Sequence, residues 1–177
     1  MRLAEEFVFA DKNKHNLKGF DCKKTDMNDF LSRFAIKNSK LGLSQTWVLT
    51  TEKLLIKNKA SQNKLPIAAY YTLASSTVSR EDIPLDINLP AYPVPIVLLA
   101  RLAVDKNFQR SGLGGKTLVT ALRKSIELTD RGLPAVGLIL DVLDEEALKF
   151  YQHFEIFKSF TDEPMRLFAP MSVLRLL

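Results

Sequence analysis

The sequence predicts an α/β (α+β) protein, with a mixed central sheet flanked by helices. Two segments, 96–104 (IVLLARLAV) and 134–142 (PAVGLILDV), are almost wholly apolar, which is typical of strands buried on both faces. Between them, a glycine-rich turn precedes Leu118, Leu122 and Ile126, whose spacing of four residues is typical of an amphipathic helix. This order of strand, turn, helix and strand predicts the centre of the sheet and one helix that covers it.

The outer elements follow from local patterns along the chain. We expect strands over 6–17, ending in a turn at Gly19, at 46–51 and at 67–79, and a final strand plus an apolar end over 166–177. We also expect a hairpin loop at 57–64 and an extended proline-containing loop at 83–95. We expect one or two helices over 25–40 with Asp26 as N-cap, a helix behind the glycines that ends near Gly132, and a helix over 145–153 capped by Asp144. Within 25–40, the side chains of Phe30, Leu31, Phe34 and Ala35 form one predicted apolar face. The predicted order is βααβββαβαβ, in a single domain of residues 1–177.

Composition limits the classes of protein that need to be considered. The chain has 177 residues, of which 46% are hydrophobic, and this is enough for the core of one globular domain. No apolar run approaches the roughly 18 residues of a membrane span, and the acidic N-terminus does not resemble a signal peptide. Cys22 is the only cysteine, which excludes an intramolecular disulfide. These features predict a cytoplasmic protein with no membrane partner.

Positive charge is concentrated near the N-terminus. Residues 1–64 hold 13 lysines and arginines against seven aspartates and glutamates, a net charge of +6, whereas residues 65–177 hold 12 against 13, a net charge of −1. Two interpretations stay open. The lysines are solvated loop residues, or they form a surface for a polyanion such as RNA.

The segment 108–118 (FQRSGLGGKTL) has the composition of a phosphate-binding loop. Glycines let backbone N–H groups approach an anion closely, and a helix N-terminus adds a favourable dipole. The glycine spacing does not fit the G-x-x-x-x-G-K-[ST] motif of P-loops, and Thr117 stands where a G-x-G-x-x-G motif needs its third glycine. The alternative is a tight turn that binds no ligand.

The loop does match a Q/R-x-x-G-x-G/A pattern at 109–114, which resembles the pyrophosphate loop of the coenzyme A-binding GNAT acetyltransferases. Further segments resemble the GNAT toxins of type II toxin–antitoxin pairs: FDC at 20–22, MNDFL at 27–31, AYYTL at 69–73, LPAYPVP at 89–95, LARLAVD at 99–105, FY at 150–151 and EPMRLF at 163–168. This resemblance covers about residues 20–171 and implies the GNAT acyl-CoA N-acyltransferase fold. It implies acetyl-CoA as donor, the α-amino group of aminoacyl-tRNA as acceptor, and inhibition of translation as the result. It also implies a ribbon-helix-helix antitoxin as partner and a homodimer.

The resemblance gives roles to individual residues. It implies that Tyr151, in the Phe-Tyr pair, is the general acid that protonates the coenzyme A thiolate, because a phenol with an ordinary pKa of about 10 stays protonated at neutral pH. The alternative is a core tyrosine whose hydroxyl is hydrogen bonded within the protein. The positions implied to bind acetyl-CoA are Leu102, Ala103, Val104, Gln109, Arg110, Ser111, Gly112, Leu113, Gly114, Gly115 and Lys116.

Four cations are candidates for contacting the acceptor. Arg101 interrupts an apolar strand, where a charge without a partner is unfavourable, so it is either paired with an acid or placed near substrate phosphate. Lys23, Lys24 and Lys37 are candidates for contacting tRNA phosphates. They belong to a predicted basic surface drawn from Lys12, Lys14, Lys18, Lys23, Lys24, Lys37 and Lys40.

No side chain stands out as a general base. A peptide α-amino group has a pKa near 8, and esterification to tRNA lowers it further, so much of this acceptor is already neutral and nucleophilic. A protein lysine, with a pKa of about 10.4, would need a base far more. His15, His153 and Cys22 are given no catalytic role, and no spacing of histidines, cysteines and carboxylates predicts a metal site.

Two other functions stay open, and one departure from the family pattern bears on them. The chain could acetylate a small amine or a protein N-terminus, or it could be a catalytically dead GNAT that only binds a partner. Glu155 stands where the family usually has glycine, and Phe157 comes one residue late. The departure predicts a bulge or a shifted strand start just after Phe154.

Overall fold

The computed structural model describes residues 2–52, 64–86 and 88–177. Within these ranges the strands are β1 (Val8–Phe9), β2 (Gln45–Thr50), β3 (Ile67–Val78), β4 (Val94–Val104), β5 (Gly137–Asp141), β6 (Lys158–Ser159) and β7 (Arg166–Pro170). The helices are α1 (Thr25–Asp29), α2 (Ala35–Lys40), α3 (Leu113–Asp130), α4 (Glu145–Gln152) and α5 (Met171–Leu174), with a π-helical turn (Phe30–Phe34) between α1 and α2 and 3-10 turns at Leu17–Gly19 and Arg80–Asp82. The hairpin loop predicted at 57–64 lies outside the described residues, apart from Lys64.

The strands form a mixed sheet in the order β1-β2-β3-β4-β5-β7-β6. β4 and β5 are parallel, with Val97 opposite Leu138 and Leu98 opposite Ile139. The pairs β1–β2, β5–β7 and β6–β7 are antiparallel. The prediction of a mixed sheet with helices is therefore confirmed. In the described part of the chain, none of the helices combines the length and the apolar character that crossing a bilayer requires.

Packing divides the chain into two compact units. The first unit comprises Met1–Thr72 and Arg101–Val119, and the second comprises Leu73–Ala100 and Thr120–Leu177. In the first unit, Tyr70 packs edge-on against Phe20 at 5.2 Å between ring centroids, and Trp47 stacks on Tyr71 at 5.2 Å. The core of the second unit is a cluster of buried residues: Val78, Ile83, Val94, Ile96, Ile139, Phe160 and Phe168.

Three local predictions were wrong, each for a physical reason. The predicted strand within 6–17 ends at Phe9, because Asp11 starts a turn in which its carboxylate accepts from the Asn13 N–H at 2.7 Å. Lys24, not Asp26, is the N-cap of α1, because the helix already begins at Thr25. Phe34 leaves the predicted apolar face and is 47% exposed, since the π-helical turn breaks the 3.6-residue period on which that face depends.

Two predicted helix ends are confirmed. The Asp144 carboxylate accepts from the Ala147 N–H at 2.9 Å and caps α4. The first turn of α4 also holds two acids, whose negative charge is stabilised by the positive end of the helix. Gly132 follows the end of α3 with φ +110°, a left-handed conformation that glycine adopts without strain.

Stability should fall on acidification because of His15. This side chain is buried, and its Nδ1 accepts from the Asp11 N–H at 3.0 Å. Burial lowers the pKa of His15 below its ordinary value, although the Asp11 charge opposes this. The folded state therefore favours the neutral ring, so this stability is present above the unfolded pKa of about 6.5 and is lost as the pH falls through it.

We expect the free energy of unfolding, measured with urea, to fall between pH 7.5 and 5.5. His15→Gln should remove part of that fall, whereas substitution of the exposed His153 by Gln should leave it; an equal fall in both variants would contradict the assignment.

Replacement of Gly137 should disrupt the pairing of β5 with β7. A Cβ at this position would lie 2.5 Å from the Ala169 carbonyl oxygen and 2.5 Å from the Phe168 ring, so backbone atoms would have to move. We expect Gly137→Ala to lower the free energy of unfolding by about 1–3 kcal/mol, the usual cost of overpacking. Gly19→Ala is the comparison, because the three atoms nearest to its Cβ all belong to the Asn16 side chain, which can move if it gives up its hydrogen bond to the Gly19 N–H. Urea denaturation measures both variants, and equal effects would show that β5 accommodates the methyl group.

Candidate active site

The glycine loop connects the end of β4 to α3 and has two residues in the left-handed region. These are Arg110 at φ +58° and Gly112 at φ +79°. The Lys116 N–H donates to the Gly112 carbonyl at 3.2 Å, in the pattern of the first helical hydrogen bond of α3. The N–H groups of Leu113, Gly114 and Gly115 precede this bond, so the helix itself gives them no acceptor. They form the kind of helix N-terminus that binds an anion.

The loop lies at the surface and is anchored by one buried side chain. Leu113 is buried and anchors the start of α3, and the Thr117 hydroxyl donates to the Leu113 carbonyl at 2.7 Å. Gln109, Arg110, Ser111, Gly112 and Lys116 are all exposed. The Ser111 hydroxyl donates back to the Phe108 carbonyl and so stabilises the turn.

Gln109 connects the loop to the strand before it. Its amide donates to the Val104 carbonyl at 3.0 Å and to the Cys22 carbonyl at 3.3 Å. Ala103 and Val104 are buried and Leu102 is half-buried, all at the end of β4. These three residues follow Val97 and Leu98, the positions at which β4 pairs with β5.

Two aspartates connect the start of the glycine loop to the segment around Asp21, which is distant in sequence. The sequence did not predict these contacts. The Asp105 carboxylate is buried and accepts from the Asp21 N–H at 3.0 Å and from the Asn107 N–H at 2.9 Å. The Asp21 carboxylate pairs with the Lys106 ammonium at 2.8 Å. That ammonium, together with the Lys23 N–H and the Asn28 amide, holds the pKa of Asp21 well below its usual range. The only sequence signal was that Asp21 and Asp105 lie within the FDC and LARLAVD segments.

Arg101, in β4, has an aromatic partner in the π-helical turn. Its guanidinium lies 5.1 Å from the centroid of the Phe30 ring, and the residue is half-buried. A cation over a ring face is stabilised by the ring quadrupole, which gives one reason for a charge among apolar neighbours. Both sequence interpretations of Arg101, an ion pair or a place near substrate phosphate, stay open.

Lys23, Lys24 and Lys37 are exposed, and all three belong to the first unit. Lys23 has φ +68° and directly precedes Lys24, the N-cap of α1, whereas Lys37 lies in α2. By sequence the first unit holds 17 lysines and arginines against eight acids, a net charge of +9, and the second holds eight against 12, a net charge of −4. The charge that the sequence places near the N-terminus therefore belongs to the same unit as the glycine loop.

Tyr151 lies in the last turn of α4, in the second unit. Its ring packs edge-on against Phe150 at 5.1 Å and Phe157 at 5.9 Å between centroids. Burial raises the pKa of the Tyr151 phenol above its ordinary value, so the hydroxyl is protonated at neutral pH. Within the described residues, no side chain or backbone group is hydrogen bonded to this hydroxyl. Both interpretations of Tyr151, the general acid and the core tyrosine, stay open.

The departure at Glu155 is accommodated by a turn. The Phe154 N–H donates to the Tyr151 carbonyl at 3.0 Å and the Phe157 N–H to the Phe154 carbonyl at 3.4 Å. β6 then begins at Lys158. Glu155 is not among the described non-glycine residues with positive φ, so glycine is not required there. Phe157 still reaches the Tyr151 ring although it comes one residue late.

No protein-family model matches the chain. A tRNA-acetylating toxin of Mycobacterium tuberculosis is 32% identical to it over 161 residues, which cover 89% of this chain and 87% of the relative. The chain belongs to this family of acetyltransferase toxins. The "probable toxin TacT" of Sinorhizobium fredii is also similar, at 24% identity over 93% of this chain and 90% of its own length.

Solved structures of acetyltransferase toxins share the fold of this chain. A Tyr-to-Phe mutant of KacT matches with a TM-score of 0.85 at 24% identity over 99% of both chains. AtaT complexed with acetyl-methionyl-tRNAfMet matches with a TM-score of 0.82 at 23% identity over 98% of both chains. An AtaT Tyr-to-Phe mutant bound to the C-terminus of the antitoxin AtaR and to acetyl-CoA gives a TM-score of 0.78 at 22% identity over 99% of this chain and 98% of AtaT. The GNAT fold expected from the sequence is therefore confirmed.

The described part of this toxin contains no group of three or more histidines, cysteines, aspartates or glutamates that could hold a metal ion. Cys22 is buried, its thiol contacts the Asn28 amide oxygen at 3.3 Å, and burial raises its pKa. A thiol in this state is a poor nucleophile.

Proposed function

We propose that this toxin transfers the acetyl group of acetyl-CoA to the α-amino group of aminoacyl-tRNA and so stops translation. The observation that carries the proposal is the family membership, established over most of the chain. Two features of the structure support it: a loop suited to a pyrophosphate and a net charge of +9 on the unit that holds that loop. An acetyl group on the α-amine prevents that amine from accepting a peptide.

The glycine loop fits the pyrophosphate of coenzyme A. The N–H groups of Leu113, Gly114 and Gly115 lie at the positive end of α3, and Lys116 is exposed beside them. We assign the remaining contacts of this group to Gln109, Arg110, Ser111 and Gly112. The backbone of Leu102, Ala103 and Val104 would hold the pantetheine amides as an added strand. The Val104 carbonyl already accepts from Gln109, but a carbonyl has two lone pairs and can accept again.

Tyr151 is assigned as the general acid. Acetyl-CoA supplies a thioester whose sulfur leaves as a thiolate when the amine attacks the carbonyl carbon. The Tyr151 hydroxyl donates its proton to that thiolate, and its raised pKa ensures that the proton is present at neutral pH. The amine loses a proton to solvent and needs no strong base, because the α-amine of an aminoacyl ester is largely neutral.

The acceptor end of tRNA is assigned to the basic surface of the first unit. Lys23, Lys24 and Lys37 are exposed there, as are Lys12, Lys14, Lys18 and Lys40. Arg101 is assigned to the acceptor phosphate. Contacts of this kind position the RNA without reading its sequence, and they weaken as salt rises.

We assign a cognate antitoxin as the partner, because the family has one. The proposal also includes a ribbon-helix-helix antitoxin, a homodimer of the toxin, a cytoplasmic location and a single domain over 1–177. AtaT binds the C-terminus of AtaR, which supports an antitoxin as partner. Light scattering and co-purification with the product of the adjacent gene test these assignments.

The test of the proposed function is transfer of radiolabelled acetyl from acetyl-CoA to a mixed pool of charged tRNA. We expect label in charged tRNA and none in uncharged tRNA. Label in free amines or a peptide N-terminus, but not in tRNA, would favour the small-amine alternative. Coenzyme A binding without any transfer would favour the dead binding module.

Gly112 tests the pyrophosphate loop. Its φ of +79° strains any L-residue, yet a Cβ there would meet nothing within 4 Å, so Gly112→Ala changes only the backbone. Gly132→Ala is a matched control: it has φ +110° and open space, and it lies beyond the other end of α3. We expect both variants to lose about 1 kcal/mol of stability. Only Gly112→Ala should weaken acetyl-CoA binding in calorimetry, by about tenfold for a displaced amide donor of 1–1.5 kcal/mol. Equal affinities in the two variants would remove Gly112 from the site.

A further inference from the structure

One side chain, Asp21, uses both carboxylate oxygens to hold a turn together. Oδ1 accepts from the Lys23 N–H at 2.9 Å and from the Asn28 amide at 3.0 Å, and Oδ2 pairs with the Lys106 ammonium at 2.8 Å. The first two contacts fix the turn that carries Lys23 and Lys24 into α1. The third attaches that turn to the segment that leads into the glycine loop.

Backbone groups make the same connection. The Lys106 N–H donates to the Asp21 carbonyl at 2.8 Å, and the Asp21 N–H donates to the Asp105 carboxylate at 3.0 Å. Gln109 adds its bond to the Cys22 carbonyl, and one amide thereby touches both the turn and the end of β4. We call these residues, Asp21, Cys22, Asp105, Lys106 and Gln109, the clasp.

Two strained cations flank the clasp. Lys23 and Arg110 are the only non-glycine residues with positive φ in the described parts of the chain. Each follows a clasp residue directly: Lys23 follows Cys22, and Arg110 follows Gln109. A non-glycine residue in this conformation costs on the order of 1–3 kcal/mol and persists only where its surroundings hold it. At Lys23 the Asp21 carboxylate provides that hold by accepting from the Lys23 N–H, and the two hydrogen bonds of the Gln109 amide fix the residue before Arg110.

We propose that the clasp couples the donor site to the acceptor site, so that coenzyme A in the glycine loop tightens the binding of tRNA at the Lys23 turn. This inference rests on the proposed function. The physical reason is that one set of hydrogen bonds orders both segments, and the ligand that binds first lowers the ordering cost for the second. The effect is reciprocal, because two ligands that share a coupling free energy change each other's affinity by the same factor. Asp21 and Lys106 are positioning residues in this scheme.

The coupling is measured as the affinity for charged tRNA with and without saturating coenzyme A, which carries no acetyl group and permits no turnover. We expect the wild type to bind tRNA at least about fivefold more tightly when coenzyme A is present, the lower end of typical coupling. Lys106→Met should reduce that factor to below about twofold, and Lys106→Arg, which can keep the ion pair, should restore it. Lys124→Met is the control, because it removes another ion pair, the half-buried one with Glu127 on α3, and should keep the wild-type factor.

Hydrogen exchange gives a second readout, which a general loss of stability would not imitate. Coenzyme A should slow exchange in the peptide that covers 20–28 in the wild type and in Lys124→Met, but not in Lys106→Met or Asp21→Asn. Two results would overturn the coupling: coenzyme A tightens tRNA binding less than twofold in the wild type, or it tightens tRNA binding as much in Lys106→Met as in the wild type. If the wild type meanwhile acetylates charged tRNA, only the coupling fails; if it acetylates no tRNA, the proposed function fails and the coupling with it.

Discussion

Tyr151→Phe should lower kcat for acetyl transfer to charged tRNA by about 10²–10⁴-fold, the usual contribution of a positioned general acid. The substitution removes one oxygen and keeps the ring, which packs edge-on against Phe150 and Phe157. Within the described residues the lost hydroxyl has no hydrogen-bond partner, so its removal leaves none of these groups unsatisfied. We therefore expect the affinity for acetyl-CoA and the melting temperature to stay near the wild-type values while kcat and kcat/KM fall together.

Single-turnover transfer of labelled acetyl, combined with calorimetry of acetyl-CoA binding, separates chemistry from binding. Tyr92→Phe is the control, because Tyr92 is 66% exposed and has no assigned role. It should retain wild-type kcat. A Tyr151→Phe enzyme with a rate within threefold of the wild type would mean that solvent or another group protonates the thiolate. Loss of acetyl-CoA affinity in this variant would instead mark Tyr151 as a binding residue.

The glycine loop was predictable from sequence because its determinants are local. Three glycines, a preceding apolar strand and a following amphipathic pattern lie within about 30 consecutive residues, and each reports a backbone requirement of its own segment. Gly112 has a left-handed φ, which glycine adopts without strain, and α3 begins directly after it. The same locality explains why the Asp144 cap and the end of α3 near Gly132 were found.

The clasp could not be predicted because it is made by tertiary contacts. Asp21 and Asp105 are 84 residues apart, and neither sits in a pattern that marks a carboxylate as buried or paired. The position of Phe34 was missed for a different reason. Helical periodicity assumes 3.6 residues per turn, and the π-helical turn at Phe30–Phe34 has a wider period that turns Phe34 outward. The turn at Glu155 was also not predicted. The sequence shows that Phe157 comes one residue late, but not which backbone angles accommodate that residue.

Replacing Asp105 should have the largest effect on stability. Its carboxylate is 5% exposed and accepts from the Asp21 N–H, the Asn107 N–H and the Asn107 amide at 3.0, 2.9 and 2.8 Å. Asp105→Ala leaves these donors without that acceptor. Because a hydrogen bond to a charged group contributes about 1.5–3 kcal/mol, and the exposed Asn107 donors can turn to water instead, we expect the free energy of unfolding to fall by about 2–4 kcal/mol. Asp105→Asn keeps one carbonyl oxygen and should lose roughly half as much.

The same substitution should reach the donor site, because Asp105 starts the segment that carries Gln109 and the glycine loop. We expect Asp105→Ala to raise the KM for acetyl-CoA more than it lowers kcat, since Tyr151 is untouched. Asp130→Ala is the control: it also removes a carboxylate, but one that is exposed and pairs with Arg175 on the surface. Exposed pairs contribute about 0–1 kcal/mol, so this control should be nearly neutral in urea denaturation. Equal stability of the Asp105→Ala and Asp130→Ala variants would show that water replaces the buried carboxylate at no cost, and the loop would then not depend on the clasp for its shape.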